Sequence, residues 1–282
     1  MKRFLLTLLI LALVAALAVF VLAPVALRQH RLWEGAKVIS GYRNATDGLS
    51  PPDCGAMLAQ AQEYNRALDS AAWTDPYVPA PVDEAAAENY RSLLNPAGDG
   101  VMAVIELPKL GVSLPVYHGG GTDRPAGRVA HAPQTCLPSG KTKGPCVLYA
   151  SPERFFDPLA GLNRLIEGDC FFLRVLQTTH TYEVFQVAAT LPQNLDQFQS
   201  EGDQDECVLI EALPGDERIL VARGRRVPRK SAPPRDDTRA LPDWASGLVL
   251  AVPVIVAGLV LLAIIEGLRR LLKRRMRRRM RL

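Results

Sequence analysis

Histidine is scarce in this chain. Its 282 residues hold only four, His30, His118, His131 and His180, and none falls between positions 132 and 179. Cysteine is nearly as sparse. Cys54, Cys136, Cys146, Cys170 and Cys207 are odd in number and spaced for neither a zinc site nor a dense disulfide framework. No His/Asp/Glu group recurs at metal-ligand spacing, and there is no glycine-rich phosphate loop, dinucleotide fingerprint or internal repeat. No cofactor and no metal site are expected. Gly119-Gly120-Gly121 reads only as a flexible turn.

What the chain does contain is apolar length. Phe4 to Leu22 and Gly247 to Ile265 are charge-free runs of 19 residues each. As helices each reaches about 28 Å, close to a hydrocarbon core of roughly 30 Å. The first reads as an uncleaved anchor, with a signal peptide cut after Ala23 as the alternative. Nine basic residues, Arg269, Arg270, Lys273, Arg274, Arg275, Arg277, Arg278, Arg279 and Arg281, follow the second run, and Lys2 and Arg3 precede the first. That distribution holds both termini in the cytoplasm and everything between the spans outside. A basic tail directly after a span touches anionic membrane lipid, and no nucleic-acid partner is expected. Without those ends the net charge of +4 becomes negative.

About 200 residues lie between the spans, enough for one well-filled core. Pro51-Pro52-Asp53 opens a helix carrying Met57, Ala61, Tyr64 and Leu68 at helical spacing, and a shorter helix is expected around Ala85–Leu94. Between them the proline-rich stretch from Trp73 to Pro81 excludes regular structure. After the turn at Asn95–Gly100 the pattern becomes β. Short runs at Val101–Leu107, Leu114–Tyr117, Cys146–Tyr149, Cys170–Val175, Thr181–Ala188, Val208–Ala212 and Arg218–Ala222 suit a small closed barrel. A Pro/Arg/Asp-rich tether from Val227 to Pro242 precedes the second span. An extracytoplasmic setting permits a disulfide, with Cys136–Cys146 the nearest local pair; thiols without a role are the alternative.

The β region resembles a known family. Gly100 to Gly119, Val129-Ala130-His131 followed by Thr135-Cys136-Leu137-Pro138, Leu162 to Asp169, and Arg218 to Gly224 are similar, in consistent order, to class C, pilin-polymerising sortases. Tyr64-Asn65 and Asp75-Pro76-Tyr77 resemble the helix and the Asp-Pro-aromatic lid that such proteins carry before the barrel. The resemblance implies a mainly β fold: an eight-stranded closed barrel with short helices and an N-terminal helical lid, flanked by two transmembrane helices. The expected division is an anchor or signal peptide at 1–26, a helical and lid segment at 27–100 and a barrel at 101–227. A tether at 228–245, a second membrane helix at 246–268 and a basic cytoplasmic tail at 269–282 complete it. A Gram-positive-type cell surface is the implied location.

The resemblance also implies a chemistry. In the family a thiolate attacks the Thr–Gly bond of an LPXTG-like signal, a histidine protonates the leaving amine, and an arginine donates hydrogen bonds to the substrate. A lysine of the next pilin or a cell-wall amine then resolves the thioacyl intermediate. Here the cysteine position falls on Ala212 and the histidine position on Ser151, while the arginine position keeps Arg218. The loop from Ala212 to Arg218 is about three residues shorter than in the family. Cys207 lies five residues before Ala212, an odd offset that turns it to the opposite face of a strand. His131 falls where the family has a histidine outside the catalytic set, so packing is its expected role. Phe155-Phe156, in place of the family's His-Arg-Gly-Leu-Pro region, would plug the cleft.

The chain is therefore expected to have lost transpeptidase chemistry. It would bind or position a pilin, an LPXTG-type surface protein or an active sortase. The alternative is an active cysteine transpeptidase or hydrolase working through a non-standard nucleophile, Cys207 or Ser151.

Overall fold

The structure, a computed structural model, describes residues 2–68, 75–78, 84–120, 127–140, 144–153, 156–198, 205–213 and 215–228, with scattered positions from 255 to 269. It divides into two compact units, one of residues 1–33 with 238–282 and one of residues 34–237. The Phe4–Leu22 run lies within helix α1 (Lys2–Asp47), although most of its side chains fall outside the described set. Among the described residues no helix is long and apolar enough to cross a membrane. Most of the Gly247–Ile265 run, and the tether from residue 229, lie outside the described residues.

In the second unit, α2 (Pro51–Ala67) begins as its sequence dictates. The Ser50 hydroxyl accepts from the Asp53 amide at 3.3 Å, and Pro51 and Pro52 occupy first-turn positions where no amide donor is needed. Helix α3 (Glu84–Ser92) buries Tyr90. Eight strands follow: β1 (Val101–Leu107), β2 (Val112–His118), β3 (Val129–His131), β4 (Cys146–Ala150), β5 (Cys170–Val175), β6 (Thr178–Thr190), β7 (Glu206–Ala212) and β8 (Ile219–Val227). They close into a barrel in the order β1-β2-β3-β4-β7-β8-β6-β5. The pairs β2/β3 and β4/β7 are parallel, and the other six are antiparallel.

The closed eight-stranded barrel agrees with the sequence reading, and two details differ from it. Strand β3 is only three residues long, and β6 extends through Thr178, Thr179 and His180, whose polarity hides them from an apolar pattern. The run from β1 to β2 turns at Gly111, whose φ of 67° is a left-handed conformation that suits glycine.

Strand β1 is buried on both faces because the end of α1 covers one of them. Ile39 and Tyr42 pack with Val101 and Val104. The Tyr42 hydroxyl donates to the Met102 carbonyl and accepts from the Leu176 amide, both at 2.8 Å, so a fully buried phenol completes two backbone groups. A second junction joins α3 to the barrel. The Tyr90 hydroxyl lies 2.9 Å from His131 Nδ1, while His131 Nε2 faces the Cys136 carbonyl at 2.9 Å and Thr135 Oγ1 at 3.2 Å. Nε2 therefore carries the proton and donates, leaving Nδ1 as acceptor.

Candidate functional site

The parallel pair β4/β7 brings together Ser151 and Ala212, the two positions expected from the resemblance to replace a histidine and a cysteine. Cys146 to Ala150 run in register with Cys207 to Glu211, so Ser151 and Ala212 leave the same end of two adjacent strands. Alternation then decides which side chains meet. Val147 and Tyr149 on β4, Val208 and Ile210 on β7, and Ile219 and Val221 on β8 share one face and form one apolar cluster, covered by Leu195 and Phe198. Ser151 and Ala212 continue that face by the same alternation.

Tyr77, the aromatic residue of the expected lid, packs on this cluster. Its ring meets that of Tyr149 edge-on, with centroids 5.4 Å apart and planes at 85°, and its hydroxyl donates to the Ala150 carbonyl at 2.5 Å. Burial raises the Tyr77 pKa, and the backbone amide of Ala212 acts in the opposite direction. The phenol is therefore a neutral plug standing between the ends of β4 and β7. Asp75 serves the turn that carries Tyr77: its Oδ1 accepts from the Tyr77 amide at 2.9 Å and its carbonyl from the Val78 amide at 3.2 Å. Pro76 lies within that turn.

Arg218 is engaged locally. Its Nε and Nη2 form a fork on the Asp216 carboxylate at 3.0 and 2.7 Å, and its amide also reaches Asp216 Oδ1 at 2.9 Å. Those hydrogen bonds hold the Asp216 carboxyl down at about 2 and raise the exposed guanidinium's pKa. The sequence places Asp216 two residues from Arg218, yet only the turn conformation reveals that the two clasp each other.

The alternative nucleophiles are badly placed. Cys207 is fully buried, and five residues of strand put it roughly 16 Å from Ala212. Odd spacing also turns it away from the Tyr77 cluster. Ser151 is 8% exposed, and its carbonyl accepts from the Gly127 amide at 2.9 Å. Three of the chain's four imidazoles are engaged elsewhere. His131 is locked in the Tyr90 network, and burial depresses its pKa to about 3. His180 accepts from Arg226 Nη2 at 2.7 Å, and burial, with Arg226 beside it, lowers its pKa to about 4. His118 faces the Gly100 and Leu93 carbonyls.

One group that sequence reasoning passed over stands next to Ala212. Glu211 is 3% exposed, and burial, then the neighbouring Asp157 carboxyl, pushes its pKa up to about 9. It is a neutral acid at pH 7. A carboxyl after a run of apolar strand residues was the available signal. Gly119 has a steric role that the sequence reading did not give it: a Cβ there would collide with the His131 carbonyl and the Tyr149 hydroxyl. Of the expected aromatic plug, Phe155 lies outside the described residues; Phe156 is buried and exchanges backbone hydrogen bonds with Glu153 at 2.7 and 3.1 Å. No disulfide joins the cysteines in this structure, and the Cys136–Cys146 pairing is not formed.

A closed eight-stranded barrel with two parallel pairs and two strand ends side by side at one mouth defines the scaffold, and comparison with known proteins places it in a family. The Sortase domain family profile matches residues 105–222. Sortase C-1 from Actinomyces oris is 30% identical over 62% of this chain and 99% of its own, with a TM-score of 0.55. Sortase A from Corynebacterium diphtheriae is 25% identical over 73% of this chain and 96% of its own, with a TM-score of 0.61. The pilus-related sortase C of Group B Streptococcus shares the fold at 23% identity, a TM-score of 0.55, and coverage of 67% and 96%. No curated protein matches the chain. The chain belongs to the sortase family, and class C sortases are among its structural neighbours.

Proposed function

We propose that this chain is a catalytically silent sortase-family protein that binds an LPXTG-like sorting signal of a pilin or surface protein without cleaving it. It thereby positions that protein, alone or beside an active sortase. One observation carries the reading. At the mouth formed by β4, β7 and β8, the three positions that the resemblance assigns to the family's cysteine, histidine and arginine hold a methyl group at Ala212, a hydroxyl at Ser151 and an arginine, Arg218, whose fork is filled by Asp216. A methyl group cannot attack an acyl carbon, and Ser151 cannot act as a proton donor to a leaving amine in the way an imidazolium does. The apolar wall beneath Tyr77 persists, and it suits an extended peptide once the lid lifts. In this reading the Phe4–Leu22 and Gly247–Ile265 runs anchor the chain twice, with the barrel outside and the basic tail against cytoplasmic lipid.

The test is a binding titration. Full-length protein in detergent is titrated into a fluorescent LPXTG-type peptide, with a scrambled peptide as reference and the Tyr77→Ala variant in parallel. The proposal expects saturable binding of the intact signal peptide, tighter for Tyr77→Ala because the plug no longer competes. A signal peptide bound no better than its scrambled counterpart, by parent and variant alike, would overturn it.

A further inference from the structure

Cys146 and Cys207 stand directly opposite one another, the first register pair of the parallel strands β4 and β7. Adjacent strands run roughly 4.8 Å apart, inside the roughly 4.4–6.8 Å over which two cysteine Cα atoms can be bridged. Paired residues in a sheet project to the same face, so the two side chains leave β4 and β7 side by side. Both are buried, at 1% and 0% exposure. Alternation puts them on the face opposite the Tyr149–Ile210 cluster, so they belong to the barrel's packing and not to its mouth. Across from Cys207 on β8 stands Gly224, where a Cβ would collide with the Phe171 ring. Cys136, the partner suggested by sequence proximity, is held differently. Its amide bonds the Pro145 carbonyl at 3.1 Å, and its sulfur lies against Gly144.

We propose that Cys146 and Cys207 are a disulfide site, joined during folding by exchange with a protein or small-molecule disulfide outside the membrane. One cysteine thiolate attacks a sulfur of the oxidant, breaks its S–S bond and releases one oxidant thiol. The other cysteine thiolate attacks the mixed disulfide, forms the Cys146–Cys207 bond and releases the second oxidant thiol. The two cysteines are oxidised, the oxidant disulfide is reduced to two thiols, and the two cysteine protons pass to those thiols. Burial requires this exchange to precede closure of the barrel, and afterwards it shields the bond from reductant. The bond would strap together the two strands that end at Ser151 and Ala212, enclosing the whole segment between residues 146 and 207. The inference rests on the extracytoplasmic placement proposed above and is independent of peptide binding.

Disulfide mapping tests it on the full-length chain, exported to the cell surface, extracted in detergent and alkylated under denaturing conditions without reductant. The expected result is a cross-linked peptide pair containing Cys146 and Cys207. It persists in Cys136→Ser and disappears in Cys207→Val. In parallel, protein refolded with oxidised glutathione should melt on the order of 10 °C above the same protein refolded with dithiothreitol, as a long-loop cross-link implies. Recovery of Cys146 and Cys207 as separately alkylated residues, or of Cys146 linked to Cys136, would overturn the proposal. The mapping needs only the parent chain, so a variant that fails to fold leaves the decision intact.

Discussion

The two ends of the β4/β7 ribbon differ sharply. At one end Cys146 and Cys207 are sealed in the barrel, beside the stacked rings of Phe171 and Tyr182 that close over Gly224. At the other end Ser151 and Ala212 stand at the mouth, under a tyrosine whose hydroxyl bonds the backbone of the strand itself. The first end is kept by packing, which every residue of the interior shares. The second would be kept by chemistry, which depends on three side chains. If the chain is catalytically silent as proposed, its fold outlasts the reaction, because replacing a thiol and an imidazole at a mouth costs the barrel almost none of its buried apolar area.

The comparison is sharpened most by substitutions at matched positions. Leu148→Ala, inside β4 and fully buried, should lower unfolding free energy by about 2–5 kcal/mol, whereas Ala212→Ser at the mouth should change it by less than about 1 kcal/mol. Urea unfolding of both variants measures the difference. Similar losses at the two positions would break the contrast. Tyr42→Phe should come next, at about 1–3 kcal/mol, because the Met102 carbonyl and the Leu176 amide both lose a buried partner.

Much of the barrel was legible in the sequence because its strands alternate or run apolar between turns. Strand β3 escaped that reading, since three residues are too few to establish a period, and its partners on β2 and β4 are what make it a strand. That Ser151, Ala212 and Tyr77 merit attention was legible only through the resemblance. What Tyr77 touches was not, because its acceptor, the Ala150 carbonyl, is 73 residues away. The Arg218–Asp216 fork and the Cys146–Cys207 pairing were hidden for related physical reasons. The fork depends on a turn's conformation, and the cysteine pairing on a parallel crossover that brings distant strands side by side.

Smaller effects probe the boundary between the two ends. Glu211 sits beside Ala212, and its raised pKa means that the folded state holds its proton more tightly than the unfolded chain does. Its contribution to stability is complete below about 4.5, the ordinary glutamate value, and is lost progressively as pH rises to about 9. Glu211→Gln should remove that decline, so its melting temperature should gain on the parent's as pH climbs through this window. Parallel melting curves for parent and variant would contradict the assignment. The smallest stability effect belongs to Asp216→Ala. It should leave the melting temperature close to the parent's, since the fork is exposed, while freeing Arg218 to bind a sorting-signal peptide several-fold more tightly. Unchanged peptide affinity would show that the fork does not occlude the arginine.

The proposed absence of chemistry at the mouth is tested most directly by the intact mass of the full-length protein after incubation with an LPXTG-type peptide. The account predicts an unmodified chain and an uncleaved peptide. A thioacyl adduct that disappears in Cys207→Ala would contradict it.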